Sequence, residues 1–335
     1  MPVIENLPVT AAHAPAPDFT RAMVDTGFHD DLGQALKIAV VENSFITATG
    51  RYALTRSDAG PALLSDVFNH EVIGHGEAIT IDVEQALSPE NPVLDDAAML
   101  HGPWPWAFYH WYEELNKVVM LERAGFRGVY IVPAVGFVGD SLEYIGIDRA
   151  RIRTDEQNFV VRRLWVAPKV NLTMLVRTSQ PFVALRERLL AAIAPHENIE
   201  RRLFVTRGSG ATSNRDLVNK EAVQALLFRF GFEKVDFGKL PFREQVAMAS
   251  TASAMVGAHG AAFSNAICMK RKGLLLEFFS PLYINYSYTP HIRHLGLRYI
   301  PLTADNYDWG ESYAYGMDAV VNTDLLESLL AVELA

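Results

Sequence analysis

The chain has 335 residues, half of them hydrophobic and 21% charged, with a formal net charge of −9. This composition excludes a disordered chain, the acidity argues against general nucleic-acid binding, and the length suits two domains of about 150 residues. The single cysteine, Cys268, excludes an intramolecular disulfide and a cysteine-based structural zinc site, and reads as a small buried hydrophobe.

Residues 1–19 are rich in Ala and Pro and read as a flexible N-terminal arm without the basic start and apolar stretch of a secretory signal. No segment offers the roughly 18 to 20 apolar residues of a membrane span, so a cytoplasmic protein is expected, with association at the inner face of a membrane left open. Short β-like runs follow at 39–46, 51–55 and 78–83. Asp95-Asp96 sits in a Pro-rich, loop-like context and reads as a helix cap rather than a magnesium site. An aromatic stretch with Trp104, Trp106, Phe108, Tyr109, Trp111 and Tyr112 passes into the helical pattern Leu115, Val118, Val119, Leu121. Its flat faces suit either stacking on sugars or core packing. A strand over 128–133, a helix over 140–145 and a strand over 159–166 complete an α/β domain expected to span 20–168.

The second domain, expected over 169–335, alternates more regularly. Its strands fall at 202–206, 234–237, 254–258, 274–278 and 298–301, with helices at 220–230, 242–250, 262–269 and 288–295 between them, the pattern of a parallel, Rossmann-like sheet. An apolar helical pattern over 325–335 suits packing on the first domain or a dimer contact.

The chemistry concentrates at Val256-Gly257-Ala258-His259-Gly260-Ala261-Ala262-Phe263-Ser264-Asn265, an apolar run entering a Gly/Ala turn, with a second run, Leu274-Leu275-Leu276-Glu277, after it. Small residues at a strand's carboxyl end let backbone N–H groups approach a phosphate, and the next helix adds its positive end. His259 supplies a donor, and Glu277 is placed to accept from ribose hydroxyls. His70-Glu71-x-x-x-His75 has the wrong spacing for a zinc helix, and Gly208-Ser209-Gly210 lacks the lysine of a P-loop.

Thr206-Arg207, Arg215-x-x-x-Asn219, Gly231-Phe232, Leu240-Pro241-Phe242-x-x-Gln245, His259-Gly260-Ala261 and Glu277 resemble, in order and spacing, the catalytic region of glycosyltransferase family 61. Phe108-Tyr109-His110-Trp111-x-x-Glu114 resembles the same family's aromatic-His element. The resemblance implies an α/β enzyme of two Rossmann-like domains in the GT-B arrangement. It implies inverting transfer from a nucleotide sugar, a UDP-sugar, to a hydroxyl of a glycan or related acceptor, in surface-polysaccharide assembly. Arg207, Arg215, Asn219, Gln245, His259, Gly260, Ala261, Asn265 and Glu277 would then serve the donor. Asn219 is equally suited to cap the helix at Lys220. Glu114 would be the base, with His110 orienting it or binding acceptor, and the neighbouring Glu113 competes for the role. Phe263, where relatives carry Leu, would narrow the pocket. No cofactor is required by the sequence, metal dependence and oligomeric state stay open, and no nucleic-acid partner is expected. The rivals are a non-catalytic binding module that keeps the fold and another sugar-nucleotide enzyme, although a dinucleotide-type Gly-x-Gly-x-x-Gly is absent.

Overall fold

A computed structural model of the protein describes residues 8–13, 19–48, 52–64, 82–101, 108–168, 179–193, 199–207, 216–281, 283–304 and 320–335. The chain divides into two compact units, Met1–Leu185 and Arg186–Ala335. The protein is mixed α/β, with one mixed sheet and one parallel sheet.

The first unit holds strands β1 (Val9–Thr10), β2 (Arg21–His29), β3 (Ala35–Ile46), β4 (Ala53–Ser57), β5 (Gly60–Leu64), β6 (Val93–Met99), β7 (Val129–Val132), β8 (Ile152–Thr154) and β9 (Phe159–Val166). Among the described residues it also holds the α-helices α1 (Val83–Ala86), α2 (Phe108–Arg123) and α3 (Gly136–Tyr144) and a 3-10 helix Arg149–Arg151. The sheet runs β1-β5-β4-β3-β9-β6-β7-β8, with β2 on β3. The stretch β9-β6-β7-β8 and the β1-β5 pair are parallel, and β2, β3, β4, β5 and β9 meet in antiparallel pairs. This departs from a purely alternating Rossmann-like pattern, because short sequential strands pair as hairpins before any crossover helix intervenes. Part of the expected arm is built in: Val9 and Thr10 pair with β5, and Ala12 is buried. The expected strand at 78–83 falls largely outside the described residues, and Val83 begins a short helix.

Asp95 and Asp96 lie within β6, not at a helix cap. Cross-strand partners decide this: Asp95 pairs with Arg162, and Asp96 holds Arg163 and accepts from Trp165 Nε1 at 2.7 Å. Such contacts override a weak local preference for turns.

Helix α4 (Ser179–Ala191) leads the chain into the second unit. There, β10 (Arg201–Val205), β11 (Phe232–Val235), β12 (Ala252–Ala258), β13 (Leu274–Phe279) and β14 (Arg298–Thr303) alternate with α5 (Lys220–Arg229), α6 (Phe242–Ser250), a 3-10 helix Ala261–Cys268 and α7 (Thr289–Leu295), before α8 (Thr323–Glu333). All four pairings are parallel, in the order β11-β10-β12-β13-β14. Strand β13, Leu-Leu-Leu-Glu-Phe-Phe, is buried along its whole length, as expected of an inner strand covered on both faces. Phe204, Val256, Leu274, Leu276 and Phe278 join Val223, Leu227, Leu326 and Leu330 in one core. Counted from β10, the strand order is 2-1-3-4-5, whose switch point, the place where a ligand crevice forms, lies between β10 and β12.

Candidate functional site

The carboxyl ends of β10 and β12 meet at that switch point. Val205 is paired with Gly257, and a Cβ on Gly257 would stand 2.2 Å from the Val205 carbonyl oxygen. Only glycine lets these strands close here. Past the strand ends, Arg207 Nη1 donates to the carbonyl of His259 at 2.8 Å. A Cβ on Gly260 would lie 2.6 Å from the same Nη1. Gly260 is extended at φ −180°, so no backbone strain calls for glycine there; a side chain would push the Arg207 guanidinium off its present place.

The turn's carbonyls are occupied. Tyr288 Oη and the Phe263 N–H both donate to Gly260, at 2.6 and 3.0 Å. The 3-10 helix begins at Ala261, an exposed residue, and the first N–H groups of a helix have no partner within it. Arg207 and these amides therefore form one positively polarised corner at the crevice.

His259 hangs from the same turn, nearly buried, its ring stacked on Phe279 with centroids 5.0 Å apart. Its Nδ1 lies 2.9 Å from Glu277 Oε1. An ionised carboxylate only accepts, so Nδ1 carries a proton. Tyr299 donates to the other oxygen, Oε2, at 2.9 Å, and Glu277 has no exposed surface. Burial, and then the charge of Glu277, push the Tyr299 phenol well above its ordinary range.

Other expected donor residues have structural partners. Gln245 and Asn265 are buried together: Asn265 Nδ2 donates to Gln245 Oε1 at 3.0 Å and to the Ala262 carbonyl at 3.1 Å, while Gln245 Nε2 donates to Leu240 at 3.0 Å. They strut the 3-10 helix against α6. The Asn219 amide does not cap α5; it donates to the Val321 carbonyl at 2.8 Å and accepts from the Val321 N–H at 3.0 Å. Arg215 lies outside the described residues, as do Trp104, Trp106, Gly208-Ser209-Gly210 and the His70 to His75 segment. Phe263 is fully buried and tilted against Tyr288, 6.0 Å between centroids, so it fills core. Cys268 is buried as well, its thiol pushed up to about 12 by burial.

The expected α-helix over 262–269 is a 3-10 helix. Its carbonyls explain the tighter winding. The Ala262 carbonyl accepts from Asn265, and the Ser264 carbonyl lies 3.3 Å from His291 Nε2, so side chains take acceptors that i→i+4 bonds would otherwise use.

In the first unit, α2 starts at Phe108, seven residues before Leu115, where the aliphatic pattern becomes regular, and Trp111 and Tyr112 pack inward. Trp111 Nε1 donates to Ser141 Oγ at 2.6 Å, and Phe108 meets Tyr112 and Phe137 edge to face. Both acidic residues are buried: His110 Nδ1 is 2.9 Å from Glu113 Oε2, and Lys117 Nζ donates to Glu114 Oε1 at 2.6 Å. Burial raises the Glu113 carboxyl above its usual range, against the pull of His110. Glu114 Oε2 is buried and has no hydrogen-bond partner among the described residues.

Sequence reasoning missed one pair. His101, just past β6, sits 3.4 Å from Asp155, just past β8. Both side chains are nearly buried at the carboxyl edge of the parallel strands, and α2 follows His101 along the chain. A lone histidine before a Gly-Pro-Trp stretch and an aspartate 54 positions later carry no common spacing signal.

A parallel sheet with a guanidinium, a glycine turn and a carboxylate-held histidine at its switch point has the construction of an α/β enzyme whose ligand docks at the strand ends. The family model Glycosyltransferase 61 matches residues 108–276, about half of the chain, and the chain belongs to that family. The protein is a glycosyltransferase, which brings a sugar donor and an acceptor as its partners. A comparison with curated proteins gives no match. Among the described residues, no helix is long and apolar enough to cross a membrane, and no group of three or more His, Cys, Asp or Glu is placed to hold a metal ion.

Proposed function

We propose that this glycosyltransferase is inverting and moves a hexosyl or pentosyl group from a UDP-sugar to a hydroxyl of a glycan, in the assembly of a surface polysaccharide. The observation that carries the donor half of the reading is the corner formed by Arg207, His259 and Gly260 at the β10/β12 switch point. A diphosphate presents paired anionic oxygens, which a guanidinium and helix-start amides recognise. As the sugar departs, negative charge grows on that diphosphate, and the same groups stabilise it. Arg215, Asn219, Gln245, Ala261, Asn265 and Glu277 complete the donor site, several of them as its supports.

For the acceptor half, inversion requires a base that takes the hydroxyl proton as the oxygen attacks the anomeric carbon. Glu114 is assigned that role. Its Oε2 is a buried acceptor without a partner among the described residues, and a sugar hydroxyl supplies the missing donor. Lys117 holds the other oxygen and fixes the side chain. His110, tied to Glu113, is assigned to the acceptor. The GT-B arrangement, a cytoplasmic location and contact with the inner face of a membrane belong to the same proposal, by analogy with the family.

Calorimetry with UDP, GDP, CDP, CMP and NAD, on the wild type and on His259→Ala, with and without Mg²⁺ or Mn²⁺, tests it. Selective UDP binding, weakened in the variant, is expected. Binding of no nucleotide under any condition would overturn the donor assignment and favour a glycan-binding module.

A further inference from the structure

Glu277 occupies the middle of a strand whose every residue is buried, where an unpaired carboxylate would be strongly destabilising. The fold supplies both partners from adjacent strands. In the parallel register Gly257 lies beside Glu277, and Glu277 beside Pro301. His259 therefore comes from just beyond the end of β12, and Tyr299 from β14, two residues before Pro301. The two oxygens of Glu277 accept at 2.9 Å each, Oε1 from His259 Nδ1–H and Oε2 from the Tyr299 hydroxyl.

Direct contact between Glu277 and a ribose does not fit this arrangement. The carboxylate has no exposed surface, and each oxygen already has a donor. A ribose hydroxyl would have to move the side chains that cover Glu277 to reach it. The raised phenol remains protonated at any ordinary pH and so remains a donor, which leaves Oε1 for the imidazole. Stacking on Phe279, with Tyr283 and Tyr288 tilted around the ring at 5.8 and 5.6 Å, fixes the ring's plane. With Nδ1 used, Nε2 is the ring nitrogen left for a ligand.

We propose that Glu277 and Tyr299 are positioning residues: the carboxylate keeps the proton on His259 Nδ1, the phenol keeps the carboxylate in place, and Glu277 reaches the donor only through His259. This rests on the nucleotide-donor reading of the site and adds that Nε2, unprotonated in this tautomer, accepts from a water that it shares with the diphosphate, while no ribose hydroxyl bonds to Glu277. Supporting groups of this kind hold an imidazole's tautomer and orientation around metals and in hydrolytic triads alike.

Two measurements test it together. Long-range ¹H–¹⁵N NMR reads the His259 tautomer without nucleotide in the wild type, E277A, E277Q and Y299F. Calorimetry compares UDP with 2′-deoxy-UDP on the same proteins. The wild type is expected to show the proton on Nδ1, and E277A a shift toward Nε2–H with UDP affinity reduced about 10- to 100-fold. E277Q should recover most of that loss, because its amide oxygen can still accept from Nδ1 while its NH₂ turns to the phenol oxygen. Y299F should fall between E277Q and E277A. The UDP to 2′-deoxy-UDP affinity ratio should be the same in all four proteins. A ratio that collapses toward one in E277Q and E277A would show Glu277 binding the ribose and would overturn the proposal. An unchanged tautomer in E277A would overturn it too. If the wild type binds neither nucleotide, the donor reading fails, while the tautomer measurement still decides whether Glu277 and Tyr299 hold His259.

Discussion

Helix α2 carries two buried carboxylates in adjacent positions, and their partners separate them. Glu113 faces His110, and burial raises its carboxyl pKa; Glu114 faces Lys117 and keeps one oxygen without a partner among the described residues. Under the proposed assignment, Glu114→Gln preserves shape and removes the base, so kcat is expected to fall by about 100-fold or more, the usual range for a lost general base, with UDP affinity unchanged. Glu113→Gln should lower kcat less and raise the acceptor KM instead. Steady-state kinetics on both variants decides the assignment; the reverse order of effects would make Glu113 the base. The presence of a His and two carboxylates was legible in the chain, because FYHWYEE is an unusual string. Which carboxylate had a spare oxygen was not, because that depends on the rotamer of Lys117, one turn away.

Among the elements, the 3-10 helix Ala261–Cys268 links stability to the turn at Gly260. His291 on α7 lies against its Ser264 carbonyl. Burial holds this imidazole far below its ordinary range, at about 3, and the nearby His294 adds to the effect while the Ser264 bond opposes it. In the unfolded chain the same ring titrates near 6.5. Below that pH the unfolded state takes up a proton that the folded state does not. The contribution is therefore intact above about pH 6.5 and is lost as pH falls toward about 3, at up to about 1.4 kcal/mol per pH unit. Glu113 has the opposite sign, since its raised carboxyl binds its proton more tightly when folded and its contribution is lost as pH rises past 4.5. Urea unfolding of wild type and His291→Gln between pH 4 and pH 7 isolates the histidine: the variant's stability should fall less steeply on acidification, by about one proton. Parallel curves would show that His291 is not neutral in the folded protein. The alternation of strands and helices in this unit could be read from the sequence, because continuous apolar runs such as Leu274-Leu275-Leu276 admit few alternatives. The winding of Ala261–Cys268 could not, since it depends on Asn265 and His291 reaching carbonyls set by tertiary packing.

At the scale of the whole chain, the parallel order of β10 to β14 was foreseeable from spacing, whereas the mixed sheet of the first unit was not. Strand β2 and the Asp-bearing β6 owe their state to neighbours on β3 and β9, and no local period announces them. Net charge acts at the same scale and bears on the acceptor. A chain with a formal charge of −9 repels polyanions at long range, while the basic corner at Arg207 acts only over the first few ångströms. Given a family of glycan acceptors of equal length, kcat/KM should be higher for a neutral chain than for one bearing uronates. The gap should arise mainly in KM, because the repulsion opposes encounter and binding rather than the chemical step. Raising ionic strength from about 0.01 M to about 0.15 M shortens the screening length from about 30 Å to about 8 Å and should narrow the gap, leaving the neutral acceptor's rate nearly unchanged. A preference for the uronate chain that grows as salt falls would mean that the acceptor meets a local basic surface instead, and that the overall charge does not govern its approach.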